Sequence, residues 1–273
     1  MTATDPADVE PNAPRVAMVC DTVTGVATIT LHNPARMNAL TAAMWAALPE
    51  RVAKAATDPS VRVIVFRGAG ERAFSAGADI SEFETARAGT AADAYDALNH
   101  AAFEAVANCP KPTIAMIHGF CMGGGLGIAL ACDLRIADTA AQFALPPAKL
   151  GLGYNARWIT PILRAISSAD AKLLLFSARR IQASRALAMG LVAEVVPTDD
   201  LETATAALAT EIAANAPLTI RAAKAAVDAL SAPGVAPDMV ALDRLVADCF
   251  DSADYAEGRR AFLEKRKPLF TGR

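Results

Sequence analysis

The segment Pro112 to Leu130 constrains the fold most. A strand-like apolar run, Pro112 to Ile117, passes through His118-Gly119-Phe120-Cys121-Met122 and the triplet Gly123-Gly124-Gly125 into a helix-like run, Leu126-Gly127-Ile128-Ala129-Leu130. A strand that feeds a helix through so short a turn must return by a crossover, which favours parallel neighbours. The same alternation extends along the chain. Val16 to Cys20 and Val26 to Leu31 read as a hairpin around Thr24-Gly25, Thr41 to Ala56 as a helix, Val61 to Phe66 as a buried strand, and Ala91 to Ala107 as an amphipathic helix. Alternation up to Val196 predicts an α/β core over 15–198. After Pro197 the pattern is helical throughout: Leu201 to Asn215, Pro217 to Leu230, Asp238 to Phe250 and Ala253 to Lys265, within a C-terminal region 199–273. Residues 1–14, with Pro6, Pro11 and Pro14 and no apolar periodicity, read as a mobile tail.

Glycines at a strand-to-helix turn serve either tight packing or the close approach of a ligand to the backbone. The first N–H groups of a helix lack intrahelical partners and lie at the positive end of its dipole, where they can hold an anion or a developing oxyanion. A second loop after a buried strand, Ala73-Phe74-Ser75-Ala76-Gly77-Ala78-Asp79-Ile80, also leaves its backbone open. Two convergent N–H groups would make an oxyanion hole. Neither loop has the Lys-Ser/Thr ending of a phosphate-binding P-loop or the spacing of a dinucleotide fingerprint.

Composition sets aside several other classes. The 273 residues, 53% hydrophobic, can bury a large core, and 26 basic against 29 acidic residues, interspersed, give no face for nucleic acid or anionic membrane. No apolar stretch reaches the ~18 to 20 residues of a membrane span, and the acidic start lacks a signal sequence, so a cytoplasmic protein is expected. Five cysteines without a C-x-x-C pair argue against a disulfide framework or a zinc knuckle, and read as small buried hydrophobes. No metal site is expected.

The chain resembles the crotonase (enoyl-CoA hydratase/isomerase) superfamily. The matching stretches are Asn33-Pro34-Ala35-Arg36-Met37-Asn38-Ala39-Leu40, Phe74 to Ile80, Gly119 to Gly125, Ala188-Met189-Gly190-Leu191-Val192, Asp254-Tyr255-Ala256-Glu257-Gly258 and Phe262 to Arg266. The resemblance implies a spiral of ββα turns that binds an acyl-CoA substrate, and C-terminal helices that build a homotrimer or hexamer. It implies acyl-CoA chemistry of the kind found in fatty acid metabolism, with no cofactor beyond the coenzyme A of the substrate. By the same resemblance the oxyanion hole is the backbone N–H of Ala78 and of Gly124, and Ala76, Asp79 and Ile80 lie along the substrate. Arg36 and Lys265 match basic positions for coenzyme A, the alternative for each being a solvated surface charge.

The acid/base positions depart from the family pattern. Where enoyl-CoA hydratases of this family carry two glutamates, this chain has Gly127 and Pro147, and a third position, acidic in other branches, is Asn155. Loss of general acid/base groups typically costs ~10² to 10⁴-fold. Decarboxylation of a malonyl-type thioester needs no proton abstraction. The stretches Leu150-Gly151-Leu152-Gly153-Tyr154-Asn155 and Asp251-Ser252-Ala253-Asp254-Tyr255 resemble the methylmalonyl-CoA decarboxylase branch, which would give Tyr154 a role in handling the carboxylate or a proton. That branch, however, carries histidine at the Ala78 position and glutamate at the Gly127 position. Three readings therefore stand: a hydratase-type lyase, an alkylmalonyl-CoA decarboxylase, and a non-catalytic acyl-CoA binding protein. Among other polar residues, His100 reads as helix surface or as the histidine of a dehalogenase branch, and His118 as the end of a strand. Asp79-Ile80-Ser81-Glu82 has capping-box spacing, though Asp79, like Glu82 and Glu84, could also face the pocket. Trp158 and Phe143 read as core or acyl-pocket lining.

Overall fold

The computed structural model describes residues 13–82, 91–232 and 234–273; all but the last two residues of the expected tail, and Glu84, lie outside the described residues. Strands β1 (Arg15–Asp21) and β2 (Val26–His32) form the expected antiparallel hairpin, in register from Arg15 opposite His32 to Asp21 opposite Val26. The Asp21 carboxylate closes the turn by accepting the Val23 N–H at 2.9 Å. Along β2, Ala27, Ile29 and Leu31 alternate inward and are fully buried, as a strand with one face on a core requires.

Helix α1 (Ala42–Thr57) begins at Thr41, whose side chain accepts the Met44 N–H at 3.2 Å, and buries Met44, Trp45, Leu48, Val52 and Ala55 at three- and four-residue spacing. Three ββα turns follow. Strands β3 (Val63–Gly68) and β4 (Ala73–Ser75) precede α2 (Ala91–Ala107). Strands β5 (Thr113–Ile117) and β6 (Phe120–Met122) precede α3 (Gly124–Ala131). Strands β7 (Leu134–Asp138) and β8 (Gln142–Ala144) precede the short α4 (Pro147–Leu150). Within each turn the first strand joins one sheet and the second joins the other. Helices α5 (Ala156–Ala165) and α6 (Ser168–Ser177), strand β9 (Ile181–Gln182), helix α7 (Ala183–Ala188) and strand β10 (Glu194–Val196) complete the α/β part.

The larger sheet has the order β1-β2-β3-β5-β7-β10 and is parallel except at β1; the smaller has the order β4-β6-β8-β9 and is parallel except at β9. The main core lies between the sheets and helices α1 to α3, around Trp45, Phe66, Phe74 and Phe143. Phe143 is thus core. A second cluster, including Val63, Val65, Met116 and Ile136, packs under Leu201 and Ala209 of α8 (Leu201–Ala213).

The remaining helices, α9 (Pro217–Leu230), α10 (Met239–Phe250) and α11 (Ala253–Glu264), fall where the sequence placed them. The chain end folds back onto α11, where buried Asp254 accepts the N–H groups of Thr271 at 2.7 Å and Gly272 at 2.8 Å. All five cysteines are free; Cys109, Cys121 and Cys132 are buried as expected, but Cys20 and Cys249 are only half-buried. No helix among the described residues is long and apolar enough to cross a membrane.

Leu48 sits at the centre of the α1 contact with no exposure. Leu48→Ala is expected to lower unfolding stability by about 2–5 kcal/mol, read from a denaturant titration followed by far-ultraviolet circular dichroism.

Candidate active site

Two loops meet backbone to backbone at the upper ends of β4 and β6. The segment after the 3-10 turn Pro34–Arg36 turns back through Met37 and Asn38, both with positive φ (51° and 56°). Asn38 is buried, and its amide donates to Ala69 O at 2.9 Å and Ala73 O at 2.7 Å while its oxygen accepts the Asn33 N–H at 3.0 Å. That network pins residues 33–40 against the loop that follows β4. Three backbone bonds then hold that loop: Ala76 N–H donates to Met37 O (2.9 Å), Leu40 N–H to Gly77 O (2.7 Å) and Asp79 N–H to Leu40 O (2.9 Å). Ala78 lies between these bonds, and its N–H has no acceptor among the described residues.

The second loop brings Gly124 to the same place. Gly123 N–H donates to Ala144 O at 2.9 Å, and Gly124 is the first residue of α3, so its own N–H has no intrahelical partner. A Cβ on Gly77 would lie 3.2 Å from Gly124 N and 2.9 Å from Met122 O, and Gly77 has φ +96°, so a side chain there is excluded twice over. A Cβ on Gly124 would lie 3.7 Å from Ala78 N and only 2.8 Å from the Trp45 ring, and one on Gly125 would run into Ser75 at 2.6 Å. The glycines therefore let the loops touch, and the touch brings two unpartnered N–H groups side by side at the positive end of α3.

These N–H groups open on a cavity of about 130 Å³, lined by residues that include Ala76, Ala78, Ile80, Asn99, Gly124, Pro147, Leu152, Tyr154 and Trp158. Its wall is an edge-to-face aromatic series: Trp45 to Phe103 with centroids 5.5 Å apart, Phe103 to Trp158 at 6.0 Å, and Trp158 to Tyr154 at 5.6 Å. Trp45 Nε1–H donates to Tyr95 Oη at 3.1 Å, which fixes the ring that touches Gly124. No carboxylate lines the cavity among the described residues. Among the described lining residues the one ionisable side chain is the Tyr154 phenol, pushed well above its usual value by burial and hence a neutral O–H donor.

Of the residues singled out from the sequence, Ala76, Ala78, Ile80, Gly124 and Tyr154 come together here, and Trp158 lines the pocket as expected. Arg36 and Asp79 lie beside the cavity and hold each other: Arg36 Nη1 donates to Asp79 Oδ1 at 2.8 Å and reaches Ser81 Oγ at 2.5 Å. Burial works to raise the Asp79 carboxyl, but hydrogen bonds from Ser81 and the Arg36 guanidinium outweigh it and leave Asp79 below its ordinary value. The capping-box reading is half correct. Asp79 Oδ1 accepts the Ser81 N–H at 3.0 Å, whereas Glu82 crosses to α1, where Oε2 accepts the Ala42 N–H at 2.7 Å. Asn155 caps α5 by accepting the Arg157 N–H at 3.0 Å. His118 follows β5 and is buried, as expected of a strand end, and Lys265 caps α11 with φ 53°, away from the residues that line the cavity.

Gly127 and Pro147 have opposite surroundings. Pro147 lines the cavity directly, while a Cβ on Gly127 would meet the Phe103 ring at 2.6 Å. Phe103 thus fills the space a longer side chain at position 127 would occupy. Sequence reading missed Asn99, which is buried, donates from Nδ2 to Tyr95 O at 2.8 Å and lines the cavity. The four-residue spacing of Tyr95, Asn99 and Phe103 on α2 was the available signal.

This architecture is shared with known proteins. The family model described as enoyl-CoA hydratase/isomerase matches residues 21–273. The (E)-benzylidenesuccinyl-CoA hydratase of Thauera aromatica is 38% identical over 90% of this chain and 96% of its own length. The short-chain-enoyl-CoA hydratase of Clostridium acetobutylicum is 31% identical over 89% and 92%. A crystal structure of an enoyl-CoA hydratase/isomerase family protein from Hyphomonas neptunium superposes with a TM-score of 0.89 at 39% identity, covering 94% of this chain and 98% of that one. The chain belongs to the enoyl-CoA hydratase/isomerase family and has the crotonase fold.

The lowered Asp79 value has a defined pH consequence. A carboxyl whose folded value lies below its unfolded value, about 3.9 for aspartate, stabilises the fold above that pH and loses the contribution as pH falls through the folded value. Asp79→Asn is therefore expected to be less stable than the parent at pH 7, with the gap narrowing below about pH 4. Urea midpoints of both proteins across that range check it; a gap that stays constant contradicts the assignment.

Proposed function

We propose that the chain is an acyl-CoA lyase whose chemistry runs through a thioester enolate held by the N–H groups of Ala78 and Gly124. The observation that carries this reading is the convergence of two unpartnered N–H groups on one cavity. Both aim at the thioester oxygen, where negative charge develops, and each such donor contributes roughly 3 to 4 kcal/mol. The names of the relatives support hydration of an enoyl thioester as the reaction. In that reaction water adds to the β-carbon, the electrons pass to the thioester oxygen, and the α-carbon then takes a proton. With Gly127 and Pro147 at the family's glutamate positions, Asn99 and Tyr154 supply the polar side chains that hold the water.

A second reading is favoured by the lining of the cavity, which holds no carboxylate among the described residues. Decarboxylation of an alkylmalonyl thioester breaks the bond from the α-carbon to the carboxylate, releases carbon dioxide and leaves the electron pair as the same enolate, without a base. The Tyr154 O–H then protonates the α-carbon and recovers its proton from water. In either reading Arg36 receives the coenzyme A phosphates, Lys265 at the end of α11 reaches those of a neighbouring subunit's ligand, and no other cofactor is required. Helices α9 to α11, which expose Phe250, Phe262 and Leu263, carry the assembly into a cytoplasmic homotrimer or hexamer.

The test follows the ultraviolet absorbance of crotonyl-CoA in one assay and carbon dioxide release from methylmalonyl-CoA in another. Each is run with the parent protein and with Ala78→Pro, which removes one donor, with unfolding midpoints measured alongside. Turnover of one substrate, reduced about 10² to 10³-fold in kcat by the substitution, is expected and identifies the reaction. Binding of both thioesters without turnover of either would make the chain a non-catalytic acyl-CoA binder and overturn the lyase reading.

A further inference from the structure

Behind the aromatic wall lies a second and larger cleft, about 500 Å³, that shares Phe103, Tyr154 and Trp158 with the cavity at the oxyanion donors. Three helix faces build it. Helix α5 presents Arg157, Thr160, Pro161 and Arg164, spaced as one face; α2 presents His100, Phe103, Glu104 and Ala107, again one face; and α3 supplies the floor with Gly127, Leu130 and Ala131. Gly127 stands one turn along α3 from Gly124, so the cleft begins about 4.5 Å further along the helix than the oxyanion donor. Among the described residues only the side chains of Phe103, Tyr154 and Trp158, shared by both linings, stand between the donors and this cleft.

The polar groups of the cleft are incompletely paired. Arg157 has no carboxylate partner among the described residues, and its Nη1 lies 3.3 Å from His100 Nε2. The same ring nitrogen lies 3.2 Å from Glu104 Oε1. One imidazole nitrogen cannot accept from a guanidinium and donate to a carboxylate at once, so His100 pairs with either the exposed Arg157 or Glu104 and leaves the other without it. Among the described lining residues there are two guanidinium groups, Arg157 and Arg164, and one carboxylate, Glu104, while Arg164 also acts on the Asp228 carboxyl outside the lining. The described lining thus combines apolar side chains with more cationic than anionic groups.

We infer that this cleft is a subsite for the far end of the acyl group and takes one that ends in a carboxylate, which makes the substrate class the coenzyme A monothioesters of dicarboxylic acids. The incoming carboxylate pairs with Arg157, which has no carboxylate partner among the described residues, in the planar two-point geometry that guanidinium and carboxylate share. The hydrocarbon between thioester and carboxylate lies against Phe103, Trp158 and Leu130. This inference rests on the acyl-CoA reading above and assigns the substrate class within it.

The test compares two saturated, unreactive thioesters of equal chain length by isothermal titration calorimetry: hexanoyl-CoA and its ω-carboxy counterpart, adipyl-CoA. The parent protein is expected to bind adipyl-CoA about tenfold or more tightly than hexanoyl-CoA, as a charge-assisted hydrogen bond implies. Arg157→Leu is expected to bring that ratio close to one, and Arg157→Lys to keep part of it. Equal affinities in the parent, or a preference that survives Arg157→Leu, would overturn the subsite while leaving acyl-CoA binding in place. Failure of both thioesters to bind would overturn the acyl-CoA reading itself.

Discussion

The site depends on one contact: the loop after β4 pressed against the turn from β6 into α3 with no side chain between them. Gly77 and Gly125 each stand where a Cβ would strike the opposing loop, at 2.9 Å from Met122 O and 2.6 Å from Ser75. In the first loop the N–H groups of Ala76 and Asp79 are taken by residues 37–40 and that of Gly77 by Ser75 Oγ, and in the second that of Gly123 is taken by Ala144 of β8; Ala78 and Gly124 keep theirs without an acceptor among the described residues, where the two loops meet. Donors fixed in advance cost no reorganisation when charge develops on a substrate oxygen, which is why such an arrangement stabilises a transition state more than a ground state.

Helix α1 makes the contact rigid. Its first turn receives Glu82 from the far side of the Ala78 loop, and its Trp45 ring packs on Gly124, held in turn by Tyr95 and Phe103. A single helix thus touches both halves of the donor pair. The same aromatic series decides what the cavity excludes. Phe103 occupies the space over Gly127, and a neutral phenol is the one ionisable side chain among the described lining residues, so those residues favour an anion on the substrate without themselves offering a carboxylate base to create it.

Much of this was legible in the sequence, because short-range rules govern it. The β1–β2 hairpin follows from alternation around Thr24-Gly25, the four C-terminal helices from their apolar spacing, and the two donor loops from glycines placed after buried strands. The role of Asn38 was not legible, since its partners Ala69 and Ala73 lie more than thirty positions away and no local pattern records them. Glu82 misled for a related reason: its spacing suited a local cap, yet a helix forty residues earlier offered an N–H in need of an acceptor. Asn99 and the His100, Glu104 and Arg157 group become recognisable only once α2 and α5 face each other across the cleft.

Substrate chemistry at this site requires Ala78 and Gly124 to grip a thioester oxygen. The direct measurement is the infrared stretch of hexanoyl-CoA labelled with ¹³C at the thioester carbonyl, free and bound, in the parent protein and in Ala78→Pro. Polarisation by two fixed donors is expected to move the bound band to lower frequency than in water, with part of the shift lost in the variant. A bound band at or above its aqueous frequency, unchanged by the substitution, would show that the carbonyl lies elsewhere and would contradict the site described here.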